Sequence, residues 1–372
     1  MSSPRIDVDL GKIRHNTRTI SRRLEKRGIR VTAVTKAVCG HPAIAQAMLD
    51  GGAAGLAEAR LSNVKRLREA GMTCPVTLIR TPMLSQVDDV VQVCEASFNT
   101  EIVVIAGLAA AALRAASVHG IILMVEMGDM REGILPQDLG DIAQQVVDMP
   151  GVVLKGIGAN FACLNGATPA VAKMQTLSAL ANDVEGRCGP FLQTVSGGNS
   201  ANLTWAFGAG TTGRINDLRI GETILLGVDP VTGQRLDGMY SDACTLVAEV
   251  IETDARSVCP YANCSELSVV KIQRVPNTSG TTRLLLAIGL QDTDAAGLEM
   301  CPGSSLIGAT SDHLVIGTKD LTHCVGSEMR FQMNYSALMR AMAAPDIQTN
   351  LVNGQPAPQV REANGPDRLE LV

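Results

Sequence analysis

The first 230 residues of the chain alternate short apolar runs with longer stretches in which apolar residues recur every three or four positions. Eight of the apolar runs predict buried strands, at residues 31–35, 55–57, 76–80, 96–99, 121–126, 154–159, 192–196 and 218–220. Strands that alternate with helices in this way are parallel and are joined by right-handed crossovers. Eight such units within about 200 residues favour a closed (β/α)₈ barrel of the TIM type over an open sheet.

The chain changes character after residue 230. Further strands are predicted at residues 245–252, 267–274, 283–288, 313–317 and 329–333. Glycine and proline separate these segments and no long helical pattern follows, which predicts a C-terminal all-β domain. We place the barrel at residues 1–232, the β domain at 233–348 and a loose tail at 349–372.

The composition excludes several classes of protein. Hydrophobic residues make up 46% of the 372 residues and charged residues 19%, so the chain can bury large cores and is not intrinsically disordered. A net charge of -5 and an aromatic content of 2% argue against a nucleic-acid partner. The longest apolar run, 102–113, is too short to span a membrane, and no signal-peptide pattern opens the chain.

Cysteine and histidine spacing gives no sign of a metal site. The ten cysteines are scattered and form no Cys-x-x-Cys pair, which favours reduced thiols in a cytoplasmic protein. The five histidines form no His-x-x-x-His pair, so no metal ligands are predicted. His15 and His119 lie in polar, helix-like surroundings and are expected at the surface.

Lys36 directly follows the first predicted strand, 31–35. In barrels of this type the functional groups stand at the carboxyl ends of the strands. A lysine there is partly desolvated, which lowers its pKa, and its neutral amine can form a Schiff base with a carbonyl compound. The alternative is a lysine that extends from the barrel mouth into water.

The sequence Ser-Gly-Gly-Asn-Ser at 196–200 follows a predicted strand and precedes a helical segment. Its glycines allow backbone N–H groups to approach an anion, and Asn199 or Ser200 can cap a helix whose N-terminus favours phosphate. An ordinary glycine-rich turn is the alternative. Further along, Gly221 and Glu222 open a segment that would complete a phosphate cup.

Arg219 lies inside an apolar strand and therefore needs a partner. Together with Lys36 and the two anion-binding segments, it favours a phosphorylated carbonyl cofactor, for which pyridoxal 5′-phosphate is the obvious choice.

A series of motifs resembles those of the alanine racemase-like enzymes, the pyridoxal-phosphate class with a barrel and a C-terminal β domain. They are Ala-Val-Thr-Lys-Ala at 33–37 with His41, Gly-Leu-Ala-Glu-Ala-Arg at 55–60, Leu-Arg-Glu-Ala-Gly at 67–71, Val-Glu-Met-Gly-Asp-Met-Arg-Glu-Gly at 125–133, Gly-Ala-Asn-Phe-Ala at 158–162, Arg-Ile-Gly at 219–221 and Asn-Tyr at 334–335. The resemblance covers roughly residues 4–345. Five segments resemble the ornithine racemase branch more than alanine racemase itself, at residues 127–129, 131–133, 196–200, 287–292 and 311–313.

The resemblance implies a role for each site residue. Lys36 would hold the cofactor and move the α-proton on one face. Arg219 would face the pyridine nitrogen and, since a guanidinium stays charged, keep it unprotonated, which favours proton exchange over transamination. Asn160 would face the ring, and Arg131 would hold the cofactor's phenolic oxygen or the substrate carboxylate. The phosphate would be held by Ser196, Gly198, Asn199, Ser200, Gly221, Glu222 and Tyr335.

The chain departs from alanine racemase in its acid–base groups. Met124 replaces a lysine that supports the arginine loop, and both the tyrosine after the lysine motif and the Val-Ser-Tyr-Gly motif with the opposite-face tyrosine are absent. Racemisation needs a proton donor on each face. Asp312 or His313 is the first candidate, and Tyr261 or Cys259 the second. In the family this group comes from the other subunit, which implies a head-to-tail homodimer.

The sequence therefore predicts a pyridoxal-phosphate-dependent racemase of ornithine or another free amino acid. A metal-assisted D-amino-acid aldolase or dehydratase, a non-catalytic pyridoxal-phosphate carrier and a barrel without cofactor are the alternatives. A basic substrate would need a carboxylate in the pocket. The candidates are Glu58, Glu126, Asp129, Asp292, Asp294 and Asp312.

Overall fold

The computed structural model describes residues 3–164, 166, 168–189, 191–254 and 282–352. The chain begins with strand β1 (Arg5–Asp9), and the next eight strands close into a parallel barrel in sequence order. These strands are β2 (Arg30–Val34), β3 (Gly55–Glu58), β4 (Val76–Leu78), β5 (Ala96–Asn99), β6 (His119–Met124), β7 (Val152–Gly158), β8 (Thr194–Ser196) and β9 (Asp217–Ile220). The predicted barrel is confirmed.

Helices surround the barrel and connect its strands. They are α1 (Leu10–Glu25), α2 (Pro42–Asp50), α3 (Leu61–Glu69), α4 (Val87–Val93), α5 (Ile102–Arg114), α6 (Leu139–Val147), α7 (Val171–Cys188), α8 (Leu203–Phe207) and α9 (Glu222–Leu226). Asp9 caps α1 by accepting from the Lys12 N–H at 3.0 Å, and Ile13, Ile20 and Leu24 line its buried face. None of the helices within the described ranges is both long and apolar enough to cross a bilayer.

Every predicted barrel strand overlaps an observed one, since the predicted segments coincide with the runs that the barrel buries on both faces. The boundaries differ by a few residues. The strand predicted at 76–80, for example, ends at Leu78, because the polar Arg80 and Thr81 already line the barrel mouth.

The second unit is an antiparallel sheet with the strand order β12-β15-β10-β11-β14-β13. Its elements are β10 (Cys244–Asp254), β11 (Thr282–Leu286), β12 (Leu298–Glu299), β13 (Ser304–Ala309), β14 (Leu314–Thr318), β15 (Glu328–Met333), helix α10 (Tyr335–Ala343) and β16 (Gln348–Val352). The sequence predicted four of these strands and missed α10. The strand predicted at 267–274 lies outside the described residues.

Both ends of the described chain join this second sheet, which corrects two predicted domain limits. Strand β1 pairs antiparallel with β10 and parallel with β16. The side chain of Asp7 accepts from Arg330, and from Asn350 Nδ2 at 2.7 Å. Residues 5–9 thus belong to the β unit rather than to the barrel, and residues 349–352 form a strand rather than a tail. Both strands depend on long-range pairing, which a local pattern does not reveal.

The two histidines expected at the surface differ in their solvent exposure. His119 begins β6 and is 2% exposed, with its Nε2 2.9 Å from Ser97 Oγ, so that expectation was wrong. His15 is partly exposed on α1, where its Nε2 lies 2.8 Å from the Gly238 carbonyl oxygen.

Candidate active site

A cleft of about 710 Å³ opens at the carboxyl ends of the barrel strands. It has the size typical of a small-molecule site, which is about 300–1,000 Å³. Nine residues predicted from the sequence line it together: Lys36, Arg131, Asn160, Asn199, Ser200, Arg219, Gly221, Glu222 and Tyr335. The last of these comes from the β unit, so both parts of the chain contribute to the wall.

Lys36 begins the short 3₁₀ turn that follows β2. Burial is the largest influence on its pKa and lowers it below the ordinary lysine value. The positive charges of Arg131 and Arg219 lower this pKa further, whereas Cys163 and Glu58 act in the opposite direction. The amine is therefore more readily neutral than that of a surface lysine.

The carboxylate of Glu58 anchors the backbone beside Lys36. It accepts from Thr35 Oγ1 at 2.9 Å, from the Ala59 N–H at 2.8 Å and from Asn63 Nδ2 at 3.2 Å. Burial raises the pKa of Glu58 despite these hydrogen bonds. Because its oxygens are engaged and its side chain is fully buried, Glu58 does not reach a substrate.

Arg219 crosses the barrel interior beneath the cleft. Its Nη2 donates to the Ala159 carbonyl oxygen at 2.8 Å and to Asn160 Oδ1 at 3.4 Å, while Nη1 donates to Ser196 Oγ. Burial lowers the pKa of Arg219 to about 10, which still leaves the guanidinium charged at neutral pH. A fixed positive charge thus lies at the floor of the cleft.

Ser196 and Gly198, both predicted to hold a phosphate, do not line the cleft. The hydroxyl of Ser196 lies inside the barrel, where it donates to Asp217 and accepts from Arg219. Gly198 has a φ of 136°, and a Cβ there would lie 2.2 Å from Asn202 Oδ1. Its role is to let the chain turn sharply before the residues that do face the cleft.

Asn160 and Asn199 join two walls of the cleft. Asn199 Nδ2 donates to Asn160 Oδ1 at 3.0 Å and to the Phe161 carbonyl oxygen at 2.8 Å. As the sequence predicted, Asn199 also caps the turn that begins at Ser200, its Oδ1 accepting from the Ala201 N–H at 2.8 Å. The loop after β8 is therefore fixed to the loop after β7.

One wall carries the groups expected at a phosphate. Ser200 begins a 3₁₀ turn and Glu222 begins α9, and the two N-termini adjoin, since the Thr223 N–H donates to Ser200 Oγ at 3.4 Å. A Cβ on Gly221 would lie 2.9 Å from Val34 Cβ, which explains the glycine. Tyr335, at the start of α10, lines the same cleft, and burial raises the pKa of its hydroxyl, as do the nearby carboxylates of Glu222 and Glu58.

Arg131 reaches the cleft from the loop after β6, where it forms a two-contact ion pair with Glu132. This pair is the main reason that the pKa of Arg131 is raised. Glu132 also lines the cleft. This carboxylate was not among the predicted site residues, although it adjoins the predicted arginine.

Cys163 also lines the cleft, although it was not among the site residues predicted from the sequence. It lies five residues beyond the end of β7 and directly after the family-like segment 158–162. Its position after a barrel strand was the available signal.

Asp312 and His313 lie in the turn between β13 and β14, where both backbone N–H groups donate to Thr310 Oγ1. Neither residue lines the cleft of its own chain. Their predicted role therefore requires a second subunit. The other candidates, Tyr261 and Cys259, lie outside the described residues.

The carboxylates proposed for a basic substrate are mostly occupied. Glu126 accepts from the Gly128 and Met130 N–H groups, and Asp292 accepts from the Gly289 N–H at 2.8 Å. Asp129 accepts from the Cys163 and Leu164 N–H groups at 2.9 and 3.1 Å. Within the described part of the chain, the carboxylates that line the cleft are Glu132 and Glu222.

The sequence is similar to those of known proteins over nearly its whole length. A family model described as alanine racemase, N-terminal domain, matches residues 8–230. An ornithine racemase from Acetoanaerobium sticklandii is 30% identical over 94% of this chain and 99% of its own length. A lysine racemase from Thermotoga maritima is 30% identical over 94% of this chain and 98% of its own length.

Solved structures share the fold at lower identity. Alanine racemase from D-cycloserine-producing Streptomyces lavendulae superposes with a TM-score of 0.73 at 17% identity, over 95% of this chain and 99% of that one. D-threonine aldolase from Filomicrobium marinum gives a TM-score of 0.73 at 16% identity, over 95% of this chain and 91% of that one. Two different reactions on one scaffold mean that these structures establish the architecture alone.

Proposed function

The chain belongs to the alanine racemase family, and from that premise we propose that it is a pyridoxal-phosphate-dependent racemase of a free basic amino acid, with ornithine as the first candidate. Two relatives over nearly the whole length carry the names ornithine racemase and lysine racemase, which supports a basic substrate. Of the two carboxylates that line the cleft, Glu132 is paired with Arg131, which leaves Glu222 available to a distal ammonium group.

The observation that carries the proposal is that Lys36 and Arg219 line the same cleft. A lysine with a lowered pKa can hold a carbonyl cofactor, and a buried guanidinium at the floor would face the ring nitrogen. An acidic group in the place of Arg219 would instead favour transamination or decarboxylation.

The residues of the cleft fit pyridoxal 5′-phosphate. Lys36 would hold the aldehyde carbon, and Asn160 would face the ring. Ser200, Gly221 and Tyr335 form the wall that would hold the phosphate. When bound, the cofactor supplies an electron-withdrawing ring that makes the α-proton of an attached amino acid labile.

The chain's own residues would do the remaining work. Lys36 would take and return the α-proton on the face of the substrate that it contacts. Arg131 would bind the substrate carboxylate, while Glu132 keeps the guanidinium oriented. Arg219 would keep its charge throughout, which limits the reaction to proton exchange.

We further propose that the enzyme is a cytoplasmic head-to-tail homodimer. This arrangement would bring the turn that carries Asp312 and His313 to the cleft of the other subunit, as the resemblance to the family implies. Their assignment to the opposite face of the substrate stays a prediction.

The test is an absorbance spectrum of the purified protein, followed by α-proton exchange in deuterium oxide and chiral analysis. Ornithine, lysine and alanine are compared, each as the separate enantiomers. Visible absorbance of bound cofactor together with inversion of ornithine or lysine is the expected result. Cofactor absorbance without exchange on any amino acid would favour a carrier or an aldolase, and no absorbance with added cofactor would contradict the proposal.

A metal-assisted aldolase or dehydratase remains the second candidate because D-threonine aldolase shares the fold. The described residues hold no group of three or more His, Cys, Asp and Glu side chains suited to a metal ion. The racemase assignment therefore predicts that treatment with a chelator leaves activity unchanged. Loss of activity with chelator and its return with a divalent cation would favour the aldolase.

A further inference from the structure

The turnover of a racemase needs two acid–base groups, one on each face of the α-carbon. Lys36 supplies one of them, and it stands after β2. The group for the opposite face has to reach the same cleft from another direction. The loop after β7 is well placed, because β7 lies three strands from β2 around the barrel.

We propose that Cys163, in the loop after β7, is the acid–base group for the face opposite Lys36. Its thiol lines the same cleft as Lys36 and Arg219. The inference rests on the proposed racemase function and assigns a residue that neither the sequence motifs nor the names of the relatives indicate.

The other titratable groups in the cleft are less suitable. Both carboxylate oxygens of Glu132 accept hydrogen bonds from Arg131. Glu222 follows β9, which pairs directly with β2, so its carboxylate enters the cleft from the strand next to that of Lys36. Tyr335 begins the helix that packs on the Lys36 turn. Cys163 is thus the titratable group among the described lining residues that approaches from across the mouth.

The backbone holds Cys163 in place. Its N–H donates to Asp129 Oδ1 at 2.9 Å, and Leu164 donates to the same oxygen at 3.1 Å. Ala162 adopts a left-handed φ of 55°, which turns the chain so that Cys163 enters the cleft. Burial alone would raise the pKa of Asp129, but the hydrogen bonds that it accepts outweigh this effect and lower it.

Two side-chain amides approach the sulfur of Cys163. Asn160 Nδ2 lies 2.8 Å and Asn199 Nδ2 3.6 Å from the Cys163 Sγ atom. Both amides can donate to the sulfur and so fix its position in the cleft. Cys163 also raises the pKa of Lys36, against the larger effect of burial, so the two groups interact within the cleft.

The proton transfers balance without a further reagent. In one direction the α C–H bond breaks, its proton forms an S–H bond with the Cys163 thiolate, and its electron pair stays with the substrate. The Lys36 ammonium then donates a proton to the other face of the same carbon. The reverse reaction, or exchange of both groups with solvent, restores the starting state. Cys163 is exposed and can exchange with water.

Two variants of the full-length enzyme test the inference, Cys163→Ala and, as a matched control, Cys324→Ala. Cys324 is also an exposed free thiol, but it lies in the β unit outside the cleft. Cys163→Ala should lose racemisation by at least about a hundredfold. It should still exchange the α-proton of one enantiomer, the one whose proton faces Lys36. Cys324→Ala should match the wild type in both measurements.

A second readout does not depend on turnover. Intact wild-type enzyme is treated with iodoacetamide, and alkylation of each cysteine is followed by peptide mass mapping. Ornithine should slow alkylation of Cys163 and leave that of Cys324 unchanged. Equal alkylation with and without ornithine would overturn the placement of the thiol at the substrate.

The outcomes separate this inference from the proposed function. If the wild type inverts no amino acid, the racemase assignment fails. If the wild type inverts ornithine or lysine and Cys163→Ala does so within about threefold, the inference fails alone. Equal loss of exchange from both enantiomers in Cys163→Ala would also overturn it, since that pattern indicates a structural role.

Discussion

The guanidinium carbon of Arg219 lies 4.6 Å from the centroid of the Phe98 ring, inside the barrel and below the cleft. The charge therefore rests on an aromatic face while its N–H groups donate to Ser196 and to the Ala159 carbonyl oxygen. Arg219, on β9, thus connects β5 and β8 with the residue that follows β7.

Replacing Arg219 by Met should destabilise the fold as well as the site. The change leaves the Ala159 carbonyl without its donor in a buried position, and such a loss costs about 1–3 kcal/mol. Urea unfolding followed by circular dichroism measures the free energy of unfolding. Arg114→Met, on the exposed face of α5, serves as the control and should change it by less than about 0.5 kcal/mol. Equal stability of Arg219→Met and the wild type would contradict the role of this network.

The rate at which cofactor attaches to Lys36 should depend on pH in a predictable way. Only the neutral amine reacts, and burial lowers the pKa of Lys36 below 10.5, so the rate should rise with pH through a midpoint below that value. Arg131→Gln removes a charge that lowers this pKa, and the midpoint should therefore move upward. Stopped-flow absorbance after mixing apoenzyme with pyridoxal phosphate measures the rate. Arg114→Gln should leave the midpoint where it is, and an unchanged midpoint in Arg131→Gln would refute the coupling.

Lys36 and Arg219 could be found in the sequence because each charged side chain interrupts or ends an apolar strand. The barrel strands could be found for a related reason, since strands buried on both faces form continuous apolar runs. Strands β1 and β16 carry polar and charged residues, and the pairing between them joins residues more than 300 positions apart. No local pattern encodes such a contact.

The predicted site residues that do not line the cleft show the same limit. Ser196 shares a motif with Asn199 and Ser200, but it is the last residue of β8 and faces into the barrel. The direction of a strand's last side chain depends on the register of the sheet, which the sequence does not show. Cys163 was overlooked for the opposite reason, because its loop has no distinctive composition and only the folded barrel brings it into the cleft that Lys36 lines.

Acidification should unfold the protein partly through His119. Burial lowers the pKa of His119 from 6.5 to about 4. Between these values the unfolded chain binds a proton that the folded chain does not, so stability falls as pH drops from about 6.5 and the loss is complete below about 4. The total is about 3 kcal/mol.

His119→Gln should remove that part of the pH dependence while keeping a side chain that can hydrogen-bond with Ser97. Urea unfolding at pH 7 and pH 4 should then show a smaller difference in free energy than in the wild type, by about 2–3 kcal/mol. His15→Gln, at the partly exposed position on α1, should keep the full difference. If His119→Gln retains the wild-type difference, the titration belongs to other groups.

Mixed dimers can show whether the two acid–base groups serve the same cleft. Lys36 and Cys163 line one cleft within a single chain. A dimer of one Lys36→Ala chain and one Cys163→Ala chain therefore has one defect in each of its sites. We expect that refolding the two inactive variants together restores no racemisation of ornithine or lysine, as measured by chiral chromatography.

The same experiment with the Asp312→Asn, His313→Gln double variant tests the assignment made from the sequence. If Cys163 serves the opposite face, this double variant should retain racemisation on its own. If Asp312 or His313 of the partner subunit serves it instead, the double variant should be inactive. Mixing with Lys36→Ala should then restore about a quarter of wild-type activity, since half of the dimers would be mixed and each would carry one intact site. Such restoration would transfer the opposite-face role from Cys163 to the turn between β13 and β14.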